Sequence, residues 1–452
     1  ALSLDEPKPP DTQYFFKSMF NSPGAFQFNA EALDELAKAM ENDADEDSSI
    51  PAGYTYLAQF ITHDISFFPR KKFPTENVDG VTQQRNPTLN LDSLYGGGPT
   101  LEPKLYEADR IHLKVGTNRD SDLKNDLPRD KDNPNNPALA IIADERNDEN
   151  LAVAQTHVAF LRFHNAVVDK LLKDGISQNE LFDEARKKVI QHYQWIILHD
   201  FLPKIVDKEI LQDVLANGTK YLKANEDMFV PTEFAFAAFR MGHSMIANEY
   251  KWNRNFLQAS LGEIMRFTGI TKMRATGKPL PQDWIIDWRR FYHFEGEYIG
   301  FNRAKKINTF LTSQITKILR AINSNSDFPS LTKIDLYRGS QTGQAVAEQL
   351  NVAPLSADEI AKGSHKDILK KYKLDINTPL YYYILKEAEL GGGERLGNVG
   401  SRIVVETIVW LIQKSDFSIL KERNFKPTLG ENNGKFDMTD LLKFADVVNP
   451  LG

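Results

Sequence analysis

Between Ile50 and Arg70 the chain reads IPAGYTYLAQFITHDISFFPR, and Leu57, Phe60, Ile61, Ile65 and Phe68 recur as one apolar stripe on a helix of ~3.6 residues per turn. Gln59 and His63 lie four positions apart, so they share the opposite side. Asp64 is rotated from His63 by roughly 100° and must address a different partner. Pro69 predicts the end of the helix. Taken alone, His63 reads as a hydrogen-bonded core histidine.

The same periodicity predicts a short amphipathic helix over Asn29–Asn42 and an extended arm before it, rich in Pro7, Pro9 and Pro10. ENLAVAQTHVAFLRFHNAVVDKLLKDG predicts a long helix capped by Asn147 or Asp148 and stopped at Lys173-Asp174-Gly175; a second runs from Gln178 to Phe201. VPTEFAFAAFRMGHSMIANEY is apolar all round and predicts a buried helix with His243 in its middle. A further helix is expected over Asn302–Asn323, with Asp335, Arg338 and Gly339 just ahead of another. PLYYYILKEAELGGGERLGNVGSRIVVETIVWLIQ predicts two packed helices joined by a Gly-rich turn, and a short helix closes the chain. Alternating strands are scarce. The expected architecture is therefore mainly α, a single large helical domain with long loops and little β. Its divisions are an N-terminal arm with a short helix (1–49) and one compact unit (50–452).

Polar residues cluster in two loops. NPTLNLDSLYGGGP, inside the Pro- and Gly-rich stretch Phe73–Pro134, offers oxygens at Thr88, Asn90, Asp92 and Ser93, near the alternation of a calcium loop; a solvated turn before Gly96 is the alternative. ADERNDEN places Arg146 and Glu149 at a helix start, where charges are usually solvated caps. His157 and His164 read as packing or backbone-bonded residues.

Composition narrows the classes. The 452 residues are 41% hydrophobic and 26% charged with a net charge of −7, which gives no reason to expect nucleic acid as a partner. There is no cysteine, so disulfides and thiolate metal ligands are excluded. No apolar run reaches the ~20 residues that span a bilayer. The chain begins at Ala1 rather than Met, so a processed or trimmed N-terminus is expected, and a secreted or periplasmic compartment is favoured over the cytoplasm.

Taken in order, these stretches resemble the animal-type haem peroxidases of the peroxidase and cyclooxygenase superfamily, particularly its bacterial branch, over roughly residues 50–413. AQFITHD resembles the distal helix, which implies that His63 is the distal base and Gln59 its halide- and water-binding neighbour. Asp64 then matches a calcium ligand, with Thr88, Asn90 and Asp92 as the loop candidates; Asn90 stands where an acidic residue is usual. ADERNDENLAV resembles the turn carrying the catalytic arginine and a haem-esterifying glutamate, implying those roles for Arg146 and Glu149. AFRMGHSMI resembles the proximal helix, making His243 the iron ligand and Arg240 a propionate partner. KIDLYRG puts Asp335 where the family has an asparagine bonded to the proximal histidine. Thr62 replaces the aspartate of a second ester, and Asn150 stands where some members carry a sulfonium-forming methionine.

The resemblance implies haem b, with at most one ester through Glu149, and calcium as a second candidate cofactor. The implied activity is reduction of hydrogen peroxide, with oxidation of aromatic donors or (pseudo)halides through a ferryl intermediate and little chloride oxidation. A role in the response to oxidative stress follows. Two other readings compete. A fatty-acid dioxygenase of the same superfamily would carry a radical-forming tyrosine three residues before the proximal histidine, where this chain has Arg240. A haem-binding sensor without turnover would not need His63, Arg146 and His243 together.

Overall fold

The computed structural model describes residues 14–20, 26–42, 46–67, 80–130, 132, 139–269, 279–297, 299–323, 329–338, 341–432 and 434–452. Its central element is the helix Gly53–Ile65, where the stripe residues Leu57, Phe60, Ile61 and Ile65 are fully buried. The helix is shorter than Pro69 suggested, because Ser66 already has extended backbone at φ −141 and ψ 141. Phe68, Pro69 and Arg70 lie outside the described residues. Its start is set by a close approach: Gly53 donates its N–H to the Phe291 carbonyl at 2.8 Å. A Cβ there would stand 2.4 Å from the Tyr292 ring, so only glycine fits.

Two helices pack behind it. Leu151–Lys173 packs on Gly53–Ile65, with Phe60 stacked on Phe160 at 4.7 Å between ring centroids, and Leu181–Ile196 joins them through Tyr193, whose ring meets both. The first of these is capped by Asn150, whose side chain accepts the Val153 N–H, and not by Asn147 or Asp148. Those two residues belong to a separate 3₁₀ turn, Glu145–Asp148. The second runs from Leu181 and passes through a π turn at Ile197–Phe201.

The predicted buried helix around His243 is broken. Thr232–Phe236 is α-helical, Ala237 leaves helical geometry at φ −133 and ψ −74, and Ala238–His243 continues as a 3₁₀ helix. The Arg240 Nε–H donates to the Ala235 carbonyl at 2.8 Å, satisfying a group that an uninterrupted α-helix would bond to a backbone N–H four residues on. One other expectation is corrected: Asn302–Asn323 is not one helix, since Arg303–Lys305 pairs antiparallel with Asp47–Pro51 and only Gln314–Asn323 is helical. Asp335 and Arg338 lie ahead of the helix Gly343–Gln349, as expected, and themselves belong to a further helix, Leu331–Arg338; Gly339 lies outside the described residues.

Ala30–Met40, capped by Asn29, packs on Leu331–Arg338. Leu380–Leu390 and Asn398–Lys414 form the expected pair, both touching the Ala238–His243 segment, and Met438–Phe444 closes the chain on Leu151–Lys173. Sheet is confined to short pieces; in the largest, Tyr14–Lys17 lies between Thr82–Gln83 and Val230–Pro231. One contiguous apolar core runs from Phe16 to Val447. The fold is mainly helical, as the periodicities predict.

Candidate active site

The turn before Leu151 and the last two turns of Gly53–Ile65 meet through side chains. The His63 Nδ1 lies 2.8 Å from the Asn147 Oδ1, and Gln59 donates from Nε2 to the Glu149 carboxylate at 3.0 Å. The Asn150 side-chain amide donates to the Gln59 Oε1 at 3.0 Å. His63 and Gln59 therefore do face one space, and the other wall of that space is 147–150.

Arg146 is tied to the same helix. Its Nη2 donates to the His63 carbonyl at 2.9 Å and to Asp144 at 2.7 Å, while Nε donates to Asp144 at 2.9 Å. Its guanidinium lies 4.6 Å from the Phe67 ring centroid. Burial would raise the Asp144 carboxyl, but Arg146 and then Arg85, at 2.6 Å, hold it well below the usual carboxylate range. An ionised Asp144 fixes the guanidinium plane by a two-point contact. Behind the turn, Arg129 bridges Asp148 at 2.5 Å and Asp126 at 2.9 Å, all three buried. Arg146 is thus a pre-positioned cation and not the solvated cap its place in sequence suggested.

Across from this wall, the Ala238–His243 segment packs against Gly53–Ile65. The His243 Nδ1 lies 2.6 Å from the Asp335 Oδ2, and Asp335 is fully buried. Arg240 shares this space with both Asp335 and Arg146. Burial lowers its guanidinium pKa, Arg146 adds like charge, and Asp335 opposes them. Arg338, from the same helix as Asp335, is also lowered by burial and by Arg240, to about 10.

Haem b can be tested against these residues. With Nδ1 committed to Asp335, Nε2 is the nitrogen left to ligate iron, and the His243 side chain keeps 20% exposure in an otherwise buried wall. A Cβ on neighbouring Gly242 would meet nothing within 4 Å, so there is room beside the ring. The cations Arg240 and Arg338 suit propionates. The donor set fits haem b.

The calcium candidates fit less well. Asp64 points away from His63, as expected, and accepts the Leu91 N–H at 3.1 Å and the Ser93 N–H and hydroxyl at 3.2 and 3.1 Å. Asp92 faces Arg186 at 3.7 Å. The Asn90 Oδ1 is engaged elsewhere, accepting from the Ser415 hydroxyl at 2.5 Å, while the Thr88 hydroxyl is turned to donate to Asn86 at 2.8 Å. Among the described residues no group of three or more acidic or histidine side chains is arranged to hold a metal ion.

Sequence reasoning missed Asp144, Asn147 and His157. The Asn147 amide donates to the His157 Nδ1 at 3.0 Å. The one available signal was their position beside Arg146 and two turns into the following helix. His164, by contrast, is bonded to the Ile111 carbonyl and Tyr95, as a packing residue.

Comparison with known proteins gives the family and the fold. Residues 50–339 match the animal haem peroxidase family. Among curated proteins, the peroxidasin homolog pxn-2 of Caenorhabditis elegans is 29% identical over 183 residues, covering 39% of this chain and 13% of that protein. The thyroid peroxidase of Canis lupus familiaris is 27% identical over 191 residues, covering 38% and 20%. The chain thus spans a small part of the curated relatives it matches. Among solved structures, peroxidase A of Dictyostelium discoideum superposes with a TM-score of 0.64 at 16% identity, covering 98% of this chain and 94% of that one. The fatty acid alpha-dioxygenase of Oryza sativa gives 0.60 at 13%, covering 95% and 79%. At these identities the two structures speak to the fold alone.

Proposed function

Because this chain belongs to the animal haem peroxidase family, we propose that it is a haem-dependent peroxidase that reduces hydrogen peroxide and oxidises small electron donors. Haem b, bound through His243, supplies the iron that takes peroxide and stores the oxidising equivalents. Everything else is done by side chains. His63 accepts a proton from one peroxide oxygen and returns it to the departing one. Arg146 stabilises the negative charge that develops on the leaving oxygen without having to reorganise, since Asp144 and the His63 carbonyl already hold it. Asp335 accepts the His243 Nδ1–H and makes the ring a stronger donor. Gln59 orients water or a halide beside Glu149, the candidate ester. Donors are expected to be phenols, aromatic amines, iodide, thiocyanate and bromide. The bacterial-branch placement rests on the C-terminal stretch of sequence only.

The observation that carries this reading is the Arg146 bond to the carbonyl of His63 itself, which couples base and cation in one unit. The test is the absorption spectrum of the haem-loaded protein before and after stoichiometric peroxide, in wild type and His63→Ala. Prompt Soret change in wild type, slowed on the order of 10²–10⁴-fold in the variant, is expected. Haem uptake with no rapid peroxide reaction in either protein would defeat it.

The alternative is a fatty-acid dioxygenase, whose solved relatives share the fold. Arg240 argues against it, since its Nε is spent on the Ala235 carbonyl where that chemistry needs a tyrosyl radical. Oxygen uptake with linoleate would favour the alternative.

A further inference from the structure

We propose that Asn147 and His157 are positioning residues for His63: together they hold its imidazole in the tautomer protonated at Nδ1, which leaves Nε2 as the basic nitrogen. The inference rests on the peroxidase reading of His63. Its starting point is a hydrogen-bond chain of three side chains, His63 Nδ1 to Asn147 Oδ1 at 2.8 Å and Asn147 Nδ2 to His157 Nδ1 at 3.0 Å.

A primary amide has one accepting end and one donating end, so such a chain has only two self-consistent registers. In one, His63 donates from Nδ1, and His157 accepts at Nδ1 and carries its proton on Nε2. In the other the amide is inverted, His157 donates from Nδ1, and His63 is protonated on Nε2 and useless as a base toward peroxide. His63 and Asn147 alone do not choose between them. The choice falls to the far end of the chain.

That far end is His157, which is fully buried. Burial lowers its pKa to about 3, so the ring is neutral and must be one tautomer or the other. Its Nε2 has no hydrogen-bond partner, and the Phe60 ring lies 6.0 Å away at 72° between planes. The Asn147 amide nitrogen is the atom that faces the His157 Nδ1 at 3.0 Å; an amide nitrogen only donates, so the neutral ring accepts at Nδ1 and carries its proton on Nε2. His157 therefore keeps its proton on Nε2 and offers Nδ1 as an acceptor, which orients the Asn147 amide and makes its oxygen face His63.

The test is the nitrogen spectrum of the haem-loaded, ferrous carbon monoxide form labelled with ¹⁵N-histidine, in wild type, Asn147→Ala, His157→Leu and His157→Gln. Wild-type His63 should show the Nδ1–H tautomer and His157 the Nε2–H tautomer. In His157→Leu, a residue two hydrogen bonds from His63, the amide is released and His63 should become a mixture of both tautomers, with the peroxide reaction slowed several-fold and haem uptake unchanged. His157→Gln offers an acceptor oxygen and should restore the single tautomer. Asn147→Ala should lose it. A wild-type His63 protonated at Nε2, or a pure Nδ1–H form persisting in His157→Leu, overturns the proposal. Because the tautomer is read without turnover, its failure is distinguishable from a failure of the peroxidase reading, in which the tautomers would be as stated and peroxide would do nothing.

Discussion

The Nδ1 of His243 stands 2.6 Å from the Asp335 Oδ2, and the carboxylate is buried. A charged acceptor makes a hydrogen bond roughly twice as strong as an amide would. As an iron ligand the ring would gain anionic character and would favour ferric over ferrous iron. Asp335→Asn should raise the Fe(III)/Fe(II) potential by on the order of 50 mV, about 1 kcal/mol for one electron. Spectroelectrochemical titration reads it; no change, or a fall, would refute the role given to Asp335.

Covalent attachment should be limited to Glu149. The hydroxyl at Thr62, where a second ester would form, donates to the Ala58 carbonyl at 2.8 Å and has no carboxylate to offer. After peroxide treatment, digestion and mass spectrometry should find haem on the Glu149 peptide alone, and Glu149→Gln should release all haem to acidic butanone. Haem retained in that variant would place the link elsewhere.

With so few links the haem should be little distorted and only moderately oxidising. Iodide and thiocyanate should be turned over readily and chloride hardly at all at pH 7. Monochlorodimedone chlorination at a rate comparable to its bromination would contradict this.

Arg146→Lys should separate charge from geometry. Lysine keeps the cation but lacks the planar fork whose Nε and Nη2 grip Asp144 at two points, so the charge is no longer fixed in one plane and the peroxide reaction should fall by roughly 10²–10³-fold. The haem spectrum should stay that of wild type. Stopped-flow measurement at several peroxide concentrations distinguishes this from lost haem.

The Asp64 loop makes a prediction about pH and calcium. Burial, and then Asp92, pushes the Asp64 carboxyl up to about 7. The folded state therefore holds this proton more tightly than the unfolded chain, whose aspartates titrate near ~4. The stability from this group is complete below about pH 4 and is lost as pH rises through 7. Thermal midpoints should decline across that window, and Asp64→Asn should flatten the decline. Because Asn90 spends its oxygen on the Ser415 hydroxyl and Asp92 faces Arg186, EGTA should leave the midpoint unchanged. A marked loss of stability on chelation, restored by calcium, would show that the loop binds the ion after all.

Periodicity and residue identity carried much of this protein. The stripe through Leu57, Phe60, Ile61 and Ile65 put Gln59 and His63 on one side and Asp64 on another, because a helix turns by a constant angle whatever it packs against. The short helix expected over Asn29–Asn42, the stop at Gly175 and the final helix pair were legible for the same local reason. What only the tertiary structure decided were contacts between residues far apart in the chain. His63 meets Asn147 across 84 positions and His243 meets Asp335 across 92, and no local rule specifies such pairings. The break at Ala237 was invisible because the apolar run around it satisfies a helix pattern; the Arg240 side chain, folded back, takes the Ala235 carbonyl that the break leaves without its helical N–H. Asn147 looked like a helix cap and His157 like core. Their hydrogen-bond partners come from another element, and a side chain's role is set by what packing brings within reach of it.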